Sequence, residues 1–211
     1  MVLIGVVGGI ASGKSFVTEY LGALGAVVLD ADQIGHQVLL QDAVKSAIRD
    51  NWGMDVFTSS GEVDRGKLAA IVFDTSQPNH LKKLESITHP RIGEQIALKV
   101  QQLQESGNFV AILDAPVMVK AGWYKLCNHI LFVDTDEQMR WQRASQRGWS
   151  REMFENREKM QASVLQKREV STWAIDNNGS PEETKVQLDK FWRQVVETTK
   201  TPNATDLRQQ T

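Results

Sequence analysis

Short apolar runs alternate along this chain with longer segments in which apolar residues recur at helical spacing. The runs are rich in Val and Ile and show little in–out alternation, which is typical of strands buried on both faces of a sheet. We therefore predict five strands, at Val2–Val7, Ala26–Leu29, Phe109–Leu113, His129–Val133 and Trp173–Ile175.

The segments between these runs predict seven helices. They are Lys14–Leu24, Gln33–Asn51, Arg65–Asp74, Gln77–Glu105, Asp136–Gln146, Arg151–Val170 and Pro181–Thr198. Alternation of strands and helices favours an α/β fold with a parallel sheet. Within the fourth helical segment we expect His89-Pro90 to interrupt the helix, because an internal proline breaks or kinks it.

About eighty residues, most of them helical, separate the second strand from the third, which is more than a crossover needs. We predict that residues 33–107 are a helical insertion and that residues 148–170 are a polar helical lid. Both belong to a single domain of residues 1–200, whose core comprises residues 1–32, 108–147 and 171–200. Residues 201–211 have few core-forming side chains, and we expect a disordered tail there.

The composition is that of an ordinary globular protein, with 41% hydrophobic and 24% charged residues among 211. A net charge of −2 and the lack of a basic block disfavour nucleic acid or an anionic membrane as a partner. The single cysteine, Cys127, cannot form an intrachain disulfide and suits a reducing compartment. No apolar run reaches the length of about 18 residues that a membrane helix needs, and "MVLIGVV" lacks a basic leader, so we expect a cytoplasmic protein.

The segment Gly8–Ser15, "GGIASGKS", has the spacing G-x-x-x-x-G-K-[ST] and lies between a predicted strand and a predicted helix. Glycines let successive backbone N–H groups approach a polyphosphate, and the helix N-terminus adds its dipole. Lys14 would reach the β- and γ-phosphates, and the Ser15 hydroxyl would be a ligand of Mg²⁺. We predict a P-loop that binds a nucleoside triphosphate, in preference to a glycine-rich turn with a chance lysine.

Two carboxylates, Asp30 and Asp32, lie at the carboxyl end of the second strand, the edge of an α/β sheet at which ligands bind. If this strand lies near the first, both face the γ-phosphate. Asp32 is then the candidate base that orients an acceptor hydroxyl and takes its proton, with Asp30 nearer the metal or its waters. The alternative is that Asp32 N-caps the helix beginning at Gln33, and the two roles can coexist.

Asp114 ends the third strand, where a Walker B carboxylate supports Mg²⁺ through water, although strand-end aspartates also form turns. Arg140, Arg143 and Arg147 recur at i, i+3 and i+7 on one helix face. The default interpretation of this pattern is a solvated basic stripe. The alternative is that Arg143 or Arg147 reaches the phosphates when the lid closes and excludes water.

Beyond the P-loop, several segments resemble the dephospho-coenzyme A kinase family in content and order, from Val2 to Glu183. They are "LGAVVLDADQIGHQVL", "GEVDRGKLAAIVFDTSQPNHLKKLESITHPRI", "DAPVMVKAGWYKLCNHILFVD", "QRASQRGWSRE" and "AIDNNGSPEE". The resemblance implies a P-loop NTPase-type three-layer α/β fold with a five-stranded parallel sheet, a helical coenzyme A-binding part and a lid. It implies transfer of the γ-phosphoryl group of ATP to the ribose 3′-hydroxyl of dephospho-coenzyme A, with Mg²⁺.

The resemblance also implies roles for individual residues. Catalytic roles fall to Lys14, to Asp32 as the base and to Arg143 as the lid arginine. The implied nucleotide-binding residues are Gly9, Ala11, Ser12, Gly13, Lys14, Ser15, Phe16, Asn177 and Gly179, with Asn177–Gly179 at the adenine. Asp32, Arg65 and His89 are the implied acceptor-binding residues, and Ser15 and Asp114 are the candidate metal-binding ones. The positions that depart from residues usual in the family are Phe16, Asp114, Lys120 and Ser171-Thr172.

Two other functions also fit a P-loop on this scaffold. One is a different small-metabolite or nucleoside kinase, because the fold alone does not determine the acceptor. The other is a nucleotide-binding regulatory switch that acts through a partner. The acidic pair and the room for an acceptor-binding part make this second alternative less favoured.

Overall fold

The computed structural model describes residues 1–74, 76–77 and 79–200, so the predicted tail of residues 201–211 lies outside the described residues. Its five strands are β1 Val2–Gly8, β2 Val27–Asp30, β3 Val110–Asp114, β4 His129–Asp134 and β5 Trp173–Asp176. They form one sheet in the order β2-β3-β1-β4-β5. The pairings of β1 with β3, β1 with β4 and β4 with β5 are parallel, which confirms the predicted parallel α/β sheet.

The described helices follow the predicted segments, with two of those segments divided. The helices are α1 Lys14–Ala23, α2 Ala31–Val38, α3 Asp42–Trp52, α4 Arg65–Val72, α5 Asn79–Glu105, α6 Met118–Ala121, α7 Glu137–Gln146, α8 Arg151–Lys159, α9 Val164–Glu169 and α10 Pro181–Lys200. The predicted segment Gln33–Asn51 corresponds to α2 and α3, and Arg151–Val170 corresponds to α8 and α9. A one-turn 3₁₀ helix, Trp123–Leu126, and the short α6 were not predicted, because four residues carry no helical periodicity.

A capping box explains why α9 begins as a separate helix. The Ser163 hydroxyl accepts from the Gln166 N–H at 3.1 Å, and the Gln166 side chain accepts from the Ser163 N–H at 2.9 Å. This reciprocal pair satisfies two N–H groups at a helix start. The polar residues before it therefore end one helix and start the next, where periodicity alone had predicted continuity.

The prediction that His89-Pro90 interrupts a helix is wrong. Helix α5 is 27 residues long and continues through Pro90 without a break. Proline has no N–H to donate to the carbonyl of Ser86 four residues earlier, but both residues are exposed, so water can replace that hydrogen bond.

The sheet is buried on both faces. All seven residues of β1 are buried, in agreement with the absence of in–out alternation in its sequence. One face of the sheet packs against α1 and α10, through Val17 and Leu21 of α1 and through Leu188 and Phe191 of α10. On the other face, a Cβ atom at Gly5 would lie 2.6 Å from Sδ of Met118 in α6, so this strand position has no room for a side chain.

The chain forms two compact units. The first comprises Met1–Leu29 and, among the described residues, 100–200, and it contains the sheet and the P-loop. The second comprises Asp30–Lys99 and contains α2, α3, α4 and most of α5. This second unit overlaps the predicted insertion of residues 33–107, whose acceptor-binding role stays a prediction. Within the described residues, no helix combines the length and the apolarity that a membrane span requires.

Candidate active site

The predicted P-loop connects the end of β1 to the start of α1. Gly8 is the last residue of β1, and Gly13 is the N-cap of α1 with a φ of 94°. Ala11, with a φ of 58°, is the one non-glycine residue with positive φ in the described part of the chain. A Cβ atom at Gly13 would lie 2.3 Å from Nδ2 of Asn177, so both backbone conformation and space require glycine there.

The carbonyl groups at the start of this loop are bound by lysine side chains. Nζ of Lys14 donates to the Gly9 carbonyl at 3.0 Å and to the Gly8 carbonyl at 3.3 Å. Nζ of Lys167, from α9, donates to the same Gly8 carbonyl at 3.0 Å. The Gly8 and Gly9 carbonyls therefore have protein donors, so these buried acceptors are satisfied within the site.

Three side chains converge on the carbonyl of Ser12 in the middle of the loop. The Thr135 hydroxyl donates to it at 2.9 Å, Nδ2 of Asn177 at 2.7 Å and Nη1 of Arg143 at 3.3 Å. These residues follow β4, follow β5 and lie on α7, respectively. The conformation of the loop is consequently fixed from three separate elements.

Burial and neighbouring charges act on the P-loop lysine. Burial lowers the pKa of Lys14, the nearby Asp114 carboxylate opposes this shift, and the Arg140 guanidinium adds to it. Asp114 ends β3, which pairs in parallel with β1 at the register Val6–Asp114. The structure therefore brings Asp114 close enough to the P-loop to stabilise the ammonium form of Lys14.

The candidate Mg²⁺ ligands are hard oxygen donors, which are the ligands that Mg²⁺ prefers. Ser15 is exposed at the second residue of α1, and Asp114 is half-buried at the end of β3. Within the described residues, no group of three or more His, Cys, Asp or Glu side chains is placed to hold a metal ion. The donor set fits a magnesium ion that takes most of its remaining ligands from nucleotide phosphates and water.

The three arginines do not form one solvated stripe: Arg147, which follows α7, is exposed, but Arg143 is half-buried and Arg140 is buried. Arg140 is only 4% exposed, and its guanidinium forms an ion pair with Glu158 of α8. Nε of Arg140 donates to the Thr135 carbonyl at 3.1 Å and Nη1 to the Ile10 carbonyl at 3.4 Å. The prediction is wrong for Arg140 because α8 and the P-loop cover this part of α7. The spacing of residues within one helix does not indicate such contacts with distant segments.

Arg143, the predicted lid arginine, connects the P-loop to the turn after β5. Besides its contact with Ser12, its Nη2 donates to the Asn177 carbonyl at 2.9 Å. Burial lowers its pKa, and the neighbouring Arg147 contributes. Direct contact of Arg143 or Arg147 with phosphate stays a prediction.

The turn predicted to hold adenine, Asn177–Gly179, follows β5. The Asn177 side chain is 6% exposed and is occupied by protein partners, because its Oδ1 accepts from the Thr184 hydroxyl at 2.8 Å in addition to the contact of its Nδ2 with Ser12. Gly179 lines an open cavity of about 440 Å³ together with Asp176, Glu183, Val186 and Gln187. The role of this turn in nucleotide binding stays a prediction.

The acidic pair at the end of β2 has divided roles. Asp30, not Asp32, is the N-cap of α2: its Oδ1 accepts from the Asp32 N–H at 2.8 Å and from the Gln33 N–H at 3.1 Å. The alternative in which Asp32 caps the helix is therefore wrong. Strand β3 also lies between β2 and β1, so the strand of the acidic pair is not adjacent to the P-loop strand.

Asp32 lies in the first turn of α2, and its pKa is raised above the ordinary range of aspartate. The Asp32 side chain is exposed, so the largest cause of this shift is partial desolvation; the Asp30 carboxylate adds to it, and His36 partly opposes it. A carboxylate with a raised pKa is a stronger base, which suits proton acceptance near neutral pH.

The other predicted acceptor-binding residues lie in the second unit with Asp32. Arg65 is exposed at the first residue of α4, whose N-cap is Asp64. His89 is half-buried in α5. Their contact with an acceptor stays a prediction.

Residues 2–183 match the family model described as "CoaE: Dephospho-CoA kinase". The chain belongs to the dephospho-CoA kinase family. A dephospho-CoA kinase of Dehalococcoides mccartyi is 35% identical over 191 residues, which cover 89% of this chain and 96% of the relative. A dephospho-CoA kinase of Aquifex aeolicus is 36% identical over 194 residues, which cover 92% and 97%.

The fold also matches solved structures. The crystal structure of TT1252 from Thermus thermophilus has a TM-score of 0.72 and 28% sequence identity, over 92% of this chain and 97% of that one. Family membership makes this chain a phosphotransferase of the P-loop type and confirms the resemblance found in the sequence.

Three residues of this family member, Thr135, Glu158 and Lys167, contribute to the site and were missed from the sequence. Glu158 and Lys167 lie in the segment predicted as a lid, where polar side chains are the rule. A weak signal for Lys167 did exist, because Val164 and Val170 flank it at three-residue spacing and place it on the less polar face of α9. Glu158 carries no such signal, since its role depends on Arg140 being buried.

Proposed function

We propose that this chain transfers the γ-phosphoryl group of ATP to the ribose 3′-hydroxyl of dephospho-coenzyme A, giving coenzyme A and ADP. The observation that carries this proposal is a P-loop whose carbonyls are bound by protein donors, in a chain that belongs to the dephospho-CoA kinase family. Catalysis of phosphoryl transfer consists mainly of positioning and charge stabilisation, and such a loop supplies both.

The P-loop would bind the polyphosphate through backbone N–H groups and Lys14. Lys14 would exchange its contacts with the Gly8 and Gly9 carbonyls for the β- and γ-phosphates. Arg143 and Arg147 would offset the charge that spreads over the transferred group. When bound with ATP, Mg²⁺ would withdraw charge from the phosphate oxygens, and Ser15 and, through water, Asp114 would hold it.

Asp32 would orient the acceptor hydroxyl and accept its proton as the phosphoryl group is transferred. Its raised pKa supports this role, because a more basic carboxylate is a more effective proton acceptor. Arg65 and His89 would bind the acceptor. The free Cys127 fits a reducing compartment, and we place the enzyme in the cytoplasm.

Mass spectrometry of the products tests the proposal. The purified protein is incubated with ATP, Mg²⁺ and one acceptor at a time: dephospho-coenzyme A, nucleoside monophosphates, shikimate or gluconate. We expect one added phosphoryl group on dephospho-coenzyme A alone. Phosphorylation of another acceptor in its place would refute dephospho-coenzyme A as the substrate. Hydrolysis of ATP that no acceptor stimulates would favour a nucleotide-binding switch.

A further inference from the structure

Lys167 is a buried lysine that bonds to the P-loop. It is 4% exposed, and its ammonium group donates to the Gly8 carbonyl at 3.0 Å and to Oε1 of Gln161 at 2.6 Å. Lysine is almost never buried to this extent unless its charge is paired or used, because desolvation of the ammonium group is costly. Its burial next to the P-loop therefore calls for a functional explanation.

Lys167 shares its acceptor with the P-loop lysine. Nζ of Lys14 lies 3.3 Å from the Gly8 carbonyl oxygen, which can accept from both groups through its two lone pairs. If Lys14 turns to the phosphates of a nucleotide, its ammonium group leaves the Gly8 carbonyl. Lys167 then remains as the lysine that donates to this carbonyl. Without Lys167, that movement would leave the first carbonyl of the loop without either ammonium group, which costs free energy at the moment of nucleotide binding.

We propose that Lys167 is a positioning residue for nucleotide binding: it holds the Gly8 carbonyl of the P-loop so that Lys14 is free to bind the phosphates. This inference rests on the proposed role of Lys14 in ATP binding, but not on the identity of the acceptor. Lys167 also fastens α9 to the end of β1, because one ammonium group bonds to Gly8 and to Gln161, which precedes the helix.

The charges around Lys167 support a role toward an anion. Burial lowers its pKa to about 8, the Lys14 and Arg140 cations add to this shift, and only the Glu158 carboxylate opposes it. The ammonium form therefore predominates at neutral pH but is costly, and an anionic polyphosphate would relieve that cost. Nucleotide affinity should fall as pH rises above about 8, because the charge of Lys167 is then lost in the free protein.

Calorimetric binding of Mg²⁺ with a non-hydrolysable ATP analogue tests the proposal without an acceptor. We expect Lys167→Met to weaken binding about tenfold or more, since it removes a charge-assisted hydrogen bond at the loop, and Lys167→Arg to retain most of the affinity. The matched control is Lys159→Met at the exposed end of α8, which should bind as the unchanged protein does. In steady-state assays, Lys167→Met should raise KM for ATP and leave KM for the acceptor unchanged.

The pH dependence of the same binding separates positioning by a charge from packing alone. The unchanged protein should lose affinity above pH 8, and Lys167→Arg should lack this component because arginine stays charged. Unchanged affinity of a folded Lys167→Met protein would overturn the proposal, as would identical pH profiles for the unchanged and Lys167→Arg proteins. If Lys167→Met does not fold, the comparison of the pH profiles of the unchanged and Lys167→Arg proteins decides whether the proposal holds. Failure to phosphorylate dephospho-coenzyme A would refute the proposed substrate and leave these binding results intact.

Discussion

Asp30 and Asp32 differ in function although they are only two positions apart. Asp30 holds two backbone N–H groups at the start of α2, a structural task that its side chain performs locally. Asp32 lies within the first turn, where its side chain stays exposed, and partial desolvation together with the Asp30 carboxylate raises its pKa. A sequence pattern predicts an acidic pair at this strand end, but it cannot assign the cap, because the assignment depends on where the helix begins.

Replacing each of the two carboxylates in a separate variant distinguishes an effect on catalysis from an effect on stability. We expect Asp32→Asn to lower kcat by about 10²–10⁴-fold, the range of general-base catalysis, and to leave both the affinity for ATP and the melting temperature nearly unchanged. The matched control, Asp30→Ala, should lower the free energy of unfolding by about 1 kcal/mol through loss of the cap. Turnover near that of the unchanged protein in Asp32→Asn would exclude the base role.

The raised pKa of Asp32 predicts the acid side of the pH–rate profile. A base must be ionised to accept a proton, so kcat should fall as pH decreases through the pKa of Asp32. Because that pKa is raised, the fall should begin above the ordinary aspartate value of about 4. Steady-state rates over a pH series measure it, and the residual activity of Asp32→Asn should lack this transition.

At the scale of elements, α7, α8 and α9 are joined to the P-loop by buried polar side chains. Arg140 of α7 forms an ion pair with Glu158 of α8 and bonds to the Ile10 carbonyl, while Lys167 of α9 bonds to the Gly8 carbonyl. The sequence predicted helical structure in all three places, but it predicted α8 and α9 as one continuous helix, Arg151–Val170. Short-range periodicity does not record capping, and burial of Arg140 depends on contacts that join distant segments.

Removing the carboxylate that pairs with Arg140 should destabilise the protein. We expect Glu158→Ala to lower the free energy of unfolding by about 2 kcal/mol, less than for a fully buried pair, because Glu158 is 27% exposed. The melting temperature should fall by about 4–8 °C for a domain of this size.

Glu155 provides the control on the same helix. It pairs with Arg151 at 2.8 Å, but both side chains are about half exposed, so Glu155→Ala should cost less than about 1 kcal/mol. Equal losses of stability in the two variants, measured by thermal unfolding, would show that burial of Arg140 adds nothing to the ion pair.

At the scale of the whole molecule, the central sheet was the most predictable part. Its five strands and parallel pairing follow from apolar runs without alternation, since burial on both faces leaves no polar positions. The P-loop was predictable because its motif is local. The donors that hold the loop carbonyls were only partly predictable, because they come from residues that the fold, not the local sequence, brings to the loop.

The single cysteine reports on the integrity of the sheet. A Cβ atom at Gly5 would lie 3.1 Å from Sγ of Cys127, and burial raises the pKa of this thiol to about 12. At pH 8 a maleimide should therefore label native Cys127 at least about a thousandfold more slowly than the unfolded chain, because the thiolate is the reactive form.

Nucleotide should slow this labelling further. Half-buried Cys127 lies against Gly5 of β1, the strand that leads into the P-loop, so a nucleotide that binds only the folded protein suppresses the open state. With Mg²⁺ and an ATP analogue at one hundred times Kd, the part of the labelling that proceeds through the open state should fall by about a hundredfold. A rate that is independent of nucleotide would show that Cys127 becomes accessible without unfolding of β1.

Apart from Lys14, the side chains that hold the Ser12 and Gly8 carbonyls lie between 123 and 165 positions further along the chain. The octapeptide "GGIASGKS" thus contains the phosphate-binding groups, but its conformation also depends on side chains from distant parts of the sequence. Transplanted into an unrelated strand–turn–helix, the same eight residues would lack these distant donors and would bind triphosphate poorly. A designer who wishes to reuse this module must copy Thr135, Arg143, Lys167 and Asn177 with it.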